Sequence, residues 1–185
     1  MSKILVDTID TRSGTSTLTL GSSNAGTIAL GSGDVQSNFL YPAFSAYLNS
    51  AQTISASTWT KVGFDAEYFD TNSSFDTSNN RFVVPSNLAG KYCLVGQISM
   101  EFIDDNKTFR MNWYKNGASN SVGTMLKSPG ANGSFIFENT TILDLAVGDY
   151  IELFGFTDNT DTNISFQDGG DPKGSTRFLG FRIGT

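Results

Sequence analysis

The sequence predicts an all-β protein whose bulk is a two-sheet sandwich, and three observations carry that expectation. No stretch of ten or more residues keeps an apolar period of 3.6. Beyond Phe39, apolar and polar residues alternate through segment after segment. The breaks between those segments hold Asn-Asn, Asn-Gly and Gly-Gly pairs, which accept the positive φ of tight turns. With 185 residues, 38% of them hydrophobic and fifteen of them Phe, the chain has core enough for one domain of ordinary size plus a short appendage.

Taken in order, residues 1–37 come first and contain no aromatic residue. The run Thr17-Leu18-Thr19-Leu20-Gly21-Ser22 recurs ten residues later as Thr27-Ile28-Ala29-Leu30-Gly31-Ser32, and residues 4–9 add an earlier apolar strand candidate. Three short strands of this kind expose an apolar face that needs neighbours to cover it. Residues 1–37 are therefore expected to form an N-terminal β-repeat arm that assembles through Ile4, Val6, Leu18, Leu20, Ile28 and Leu30, with residues 38–185 forming the head. Head strands are expected over 43–48, 58–64, 81–84, 91–102, 108–115, 133–145, 150–156 and 176–183. Asn79-Asn80, Asn116-Gly117, Asn132-Gly133 and Gly169-Gly170 supply turns between them, and Pro85 keeps the edge beside 81–84 from further pairing.

Composition removes many functions. Histidine is absent, which excludes serine and cysteine relays built on imidazole and metal sites ligated by it. A net charge of −6 disfavours nucleic acid and anionic membrane surfaces as partners. The N-terminal sequence reads as lacking a secretory leader, so synthesis in a reducing host cytoplasm is expected. The sequons at Asn72, Asn106, Asn132, Asn139 and Asn163 then read as turn and strand-edge asparagines. No apolar run approaches the ~18–20 residues of a membrane helix. Cys93, the single cysteine, reads as a buried small apolar side chain.

The remaining chemistry is sparse. Acidic residues gather at Asp104-Asp105, at Asp158 with Asp161, and at Asp168 with Asp171, and calcium is the ion that such loop oxygens suit. None reproduces a calcium-loop pattern, so solvated turns and no cofactor are the default. Glu101 and Asp105 invite a glycosidase reading but have no aromatic sugar platform beside them. Trp59, Trp113 and Tyr114 suit either sugar stacking or core filling, and core filling is favoured. The longest polar connection, 157–175, offers Asp158, Asn159, Asn163, Gln167 and Asp168 as a candidate recognition loop.

Five segments also carry a family resemblance. Ala43-Phe44-Ser45-Ala46-Tyr47, the stretch from Asp76 through Val84-Pro85 to Gly90-Lys91-Tyr92-Cys93-Leu94, Lys115-Asn116-Gly117, Leu145 through Gly148-Asp149-Tyr150 to Leu153, and Phe178-Leu179-Gly180-Phe181 occur in that order. Together they resemble the globular head of the complement first component's q subunit, whose fold is shared with tumour necrosis factor ligands. The resemblance implies a jelly-roll sandwich that assembles as a homotrimer, with Phe44, Tyr47, Tyr150, Phe178 and Phe181 as candidates for the subunit contact. No collagen stalk or disulfide accompanies it, so complement or cytokine signalling is not implied.

The arm is similar to the attachment segments of bacteriophage tail-fibre and other virion appendage proteins. The two resemblances imply a non-enzymatic structural protein of the virion, a tail fibre or fibre tip. Its arm would dock on other virion proteins, and its head would serve host attachment through a surface glycan or protein. A trimeric capsid decoration protein is the alternative, and a polysaccharide-degrading tail protein a second. Copy number per particle separates tail from shell.

Overall fold

A computed structural model describes residues 42–128, 133–161, 163–168 and 175–184. The expected arm and its six assembly residues lie outside the described residues. Those described hold strands and no helix. In chain order these are β1 (Ala43–Tyr47), β2 (Gln52–Thr53), β3 (Thr60–Lys61), β4 (Ala66–Asp70), β5 (Phe75–Asp76), β6 (Arg81–Val83), β7 (Gly90–Ile103), β8 (Thr108–Lys115), β9 (Ala118–Lys127), β10 (Gly133–Leu145), β11 (Tyr150–Thr157), β12 (Ser165–Phe166) and β13 (Arg177–Gly184).

Two antiparallel sheets form. The larger runs β2-β12-β7-β13-β1-β4, with β10 along the other side of β7, and the smaller runs β5-β6-β11-β8-β9, with β3 beside β11. Seven of the eight expected strands appear near their expected bounds. The eighth, 58–64, keeps only Thr60–Lys61 as a strand; beyond it the Val62 N–H still donates to the Leu153 carbonyl at 2.9 Å, and Val62 and Phe64 are buried in the core. Strands β4 and β9 and the two-residue strands β2, β5 and β12 are not expected from the sequence. Strand β9 hides because Ala118–Lys127 is rich in Ser, Asn and Gly and lacks a clean apolar alternation.

Alternation sets the layers. Along β7, Tyr92, Leu94, Gly96, Ile98 and Met100 face inward and are fully buried. Facing them from the smaller sheet are Met111, Trp113, Ile151 and Leu153, likewise buried. Close approach demands glycine at Gly180, where a Cβ would stand 2.7 Å from Leu94 Cδ2 and 2.9 Å from Phe44 Cε1. A short, partly buried polar chain also ties the layers. Trp113 Nε1–H donates to Asn139 Oδ1 at 2.7 Å, and Asn139 Nδ2–H donates to Thr124 Oγ1 at 2.9 Å. Asn139 is thus a mid-strand residue of β10 that satisfies a core indole, a partner whose removal would leave a buried donor at a cost of about 1–3 kcal/mol.

The corner where two of the resembling segments meet is explained by its hydrogen bonds. Asn116 and Gly117 take φ of 52° and 78° and close the β8–β9 hairpin. Across from them, Asp149 accepts from Lys115 Nζ at 2.7 Å, from Asn116 Nδ2 at 2.7 Å and from the Ala146 N–H at 2.8 Å. Burial disfavours the Asp149 carboxylate, but Lys115, Asn116 and the Ala146 amide outweigh it and hold the carboxyl below its ordinary range. The corner's contribution to stability is accordingly complete above the ordinary carboxylate range and is lost as pH falls through the lowered value.

Candidate functional site on the outer face of the larger sheet

What faces inward on the larger sheet determines what is left outside. In β13, Phe178 and Gly180 point to the core, so Leu179, Phe181 and Ile183 point away from it. Register pairs them with outward neighbours: Phe181 with Ala43 and Cys93, Leu179 with Ser45 and Val95, Ser45 with Phe69, and Cys93 with Ile142. Directly opposed residues share a face, so these side chains form one contiguous surface. A bulge between Ser45 and Ala46 admits Tyr68, whose ring stacks on Tyr47 at 4.5 Å.

This surface is apolar and open. Phe181 is 44% exposed, Phe69 51%, Tyr68 57% and Ile142 59%. At one end Arg177 Nη2 donates to Gln97 Oε1 at 3.0 Å, and Gln97 Nε2 donates to the Ser175 carbonyl at 2.8 Å. At the other end Lys91 pairs with Asp144 at 3.5 Å. An apolar centre between polar ends has the anatomy of a protein–protein contact.

Of the five aromatic residues singled out by resemblance, Tyr47 and Phe181 lie on this face. Phe44 and Phe178 do not: at 1% and 0% exposure they fill the sandwich interior and leave no surface for a second chain. Tyr150 sits on the smaller sheet, with the Arg81 guanidinium 4.5 Å from its ring centroid. Cys93 is half-buried on the outer face rather than inside. Tyr68, Phe69, Val95, Leu179 and Ile142 were missed. Strand parity counted from the Phe-x-Gly-Phe segment would have found Leu179, and the adjacent Tyr68-Phe69 pair marks a strand whose β propensity was passed over.

The expected recognition loop is occupied with its own construction. Asp158 accepts the Thr108 N–H at 2.7 Å; burial opposes its charge, but the Thr108 donors and nearby Lys107 hold its carboxyl below the ordinary range. Asn159 is fully buried and receives the Asp161 N–H. Gln167 Nε2 donates to Ser165 Oγ at 2.6 Å, and the Asp168 carbonyl accepts the Ser175 N–H at 3.3 Å, while Asn163 is exposed. Asp171 lies outside the described residues. Among the described residues, no three His, Cys, Asp or Glu side chains gather as metal ligands. Glu101 is in β7, and Asp105 is exposed in the turn that follows it. Trp113 is core, whereas Trp59 and Tyr114 are half-exposed on the smaller sheet's side, against Phe156 and Phe154.

No family model and no curated protein matches the chain. Among solved structures it is similar to the globular domain of zebrafish complement 1qA protein, with a TM-score of 0.52 and 20% identity over 78% of this chain and 98% of that one. It is similar also to murine APRIL, with a TM-score of 0.52 and 14% identity over 77% of this chain and 98% of that one. At such identities the likeness is one of fold, and the fold of the head is the complement-head and tumour-necrosis-factor type of jelly roll.

Proposed function

We propose that this chain is the subunit of a homotrimeric, non-enzymatic virion protein, a tail fibre or fibre tip. Its arm of residues 1–37 attaches to other virion proteins, and its head presents a host-binding surface. The observation that carries the reading is the apolar outer face of the larger sheet. A lone subunit would leave Phe69, Ile142 and Phe181 in water, and full burial of one such side chain is worth about 1.5–3 kcal/mol. Three copies arranged about an axis cover that face reciprocally, as the resemblance to trimeric jelly rolls implies, and leave the smaller sheet's outer face free. The absence of histidine supports a binding role over catalysis, and the matched Leu and Ile positions of the arm support attachment.

Light scattering on dilute full-length protein is the test, with an expected mass of three times the 19.9 kDa chain. A stable single subunit would overturn the reading. Protein lacking residues 1–33 should keep the trimeric mass and fail to enter particles. Normal incorporation of that shortened protein rules out the attachment role.

A further inference from the structure

The smaller sheet's outer face carries a feature that subunit assembly does not use. Strand parity directs Arg110 and Asn112 of β8 outward, opposite Phe156 and Phe154 of β11 and opposite Met125 and Gly123 of β9. From the chain before β3, Trp59 packs its indole against Phe156, with centroids 5.4 Å apart, and the Arg110 guanidinium lies 5.6 Å from the same ring. Trp59 and Arg110 border an open cavity of about 330 Å³, lined also by Asn112, Thr124 and Met125 among others.

From this we infer that the cavity is a binding site for one acidic sugar ring, the C–H face of the pyranose lying on Trp59 and its carboxylate on Arg110. The inference rests on the host-surface reading above and deepens it. Two properties of the lining select the ligand. The aromatic surface is amphipathic in its surroundings, with an apolar ring beside polar side chains, which suits a molecule having an apolar face and a polar rim. Arg110 is exposed and, among the described residues, has no carboxylate partner. Its planar fork of donors matches a carboxylate in two-point geometry. Asn112 donates through Nδ2 to Ser119 Oγ at 2.6 Å and its Oδ1 is buried, so it lines the cavity without offering that oxygen to a ligand.

Size and charge exclude the alternatives. The cavity lies at the lower end of the ~300–1,000 Å³ range of small-molecule pockets, which suits one ring rather than a folded segment. One arginine on a chain of net charge −6 does not make a nucleic-acid surface.

The experiment titrates the full chain with methyl glucuronide and, separately, methyl glucoside, following tryptophan fluorescence. Trp113 is buried, so the solvent-facing indole that reports is Trp59. The expected result is saturation by the glucuronide in the millimolar range, with the glucoside bound about tenfold more weakly, the size of one charge-assisted contact. Arg110→Gln should abolish that preference while leaving far-ultraviolet circular dichroism and mass unchanged. Trp59→Phe, read by saturation-transfer NMR, should weaken both sugars. Equal affinity for the two sugars overturns the acidic assignment, and no response to either overturns the site. Trimeric mass and arm-dependent incorporation are read on the same preparation, so a silent titration beside an intact trimer discards this site without touching the proposed function.

Discussion

Phe178→Ala is expected to cost about 3–5 kcal/mol, the range for truncating a buried Phe, and so to remove much of the ~5–15 kcal/mol that holds a domain together. The size follows from where the ring sits. Phe178 is fully buried on β13, and its ring meets Phe44 at 4.9 Å edge-on, Trp113 at 5.1 Å, Phe75 at 5.7 Å edge-on and Phe64 at 5.8 Å. Those partners come from both layers: Phe44 from the larger sheet, Phe75 and Trp113 from the smaller. Removing the ring opens a cavity that no single neighbour can fill, because close packing holds each of the others in place. Urea unfolding of the dissociated subunit checks it, with the midpoint falling and the slope unchanged. Phe181→Ala, three residues along the same strand, should move that midpoint little, because its side chain is exposed in the isolated subunit. Equal losses from the two variants would show that the inside and outside faces of β13 have been misassigned.

The same pair shows what the sequence could and could not reveal. Alternation told that β13 and β7 are strands, and the Phe-x-Gly-Phe and Gly-Lys-Tyr segments pointed to the fold. Parity leaves open which of two alternating sets faces the core, since Phe178 and Phe181 are equally apolar and differ only in what lies opposite. Gly180 resolves it in three dimensions, since its missing side chain makes room for Leu94 and Phe44 and so marks the inner set. Tyr68 and Phe69 escaped notice because β4 reaches the face through a bulge, which breaks the period of two that sequence reading depends on. The sugar cavity was less legible still. Arg110 and Met125 are joined by cross-strand register and Trp59 reaches them from the chain before β3 through its contact with Phe156, and Trp59 and Trp113 have no difference in type that would mark one as surface and the other as core.

Phe181→Asp is expected to convert the proposed trimer to single folded subunits. In an isolated subunit the position is 44% exposed, so a carboxylate there remains hydrated and the jelly roll keeps its strands. In the proposed trimer the same carboxylate would be enclosed by apolar neighbours, including Leu179 and Ile142; among the described residues the outward cations lie toward the ends and are already engaged, Arg177 bonded to Gln97 and Lys91 paired with Asp144. Burying an unpaired charge costs several kcal/mol per subunit, and three such charges about one axis also repel one another. Light scattering should therefore read one chain's mass for Phe181→Asp, with circular dichroism unchanged. Val147→Asp adds the same charge at a similarly exposed residue, 51%, in the β10–β11 turn and should leave the trimer intact. If both variants dissociate, charge alone is responsible and the face is not the contact. If Phe181→Asp stays trimeric, the subunits meet elsewhere, and the apolar outer face must be covered by a different protein.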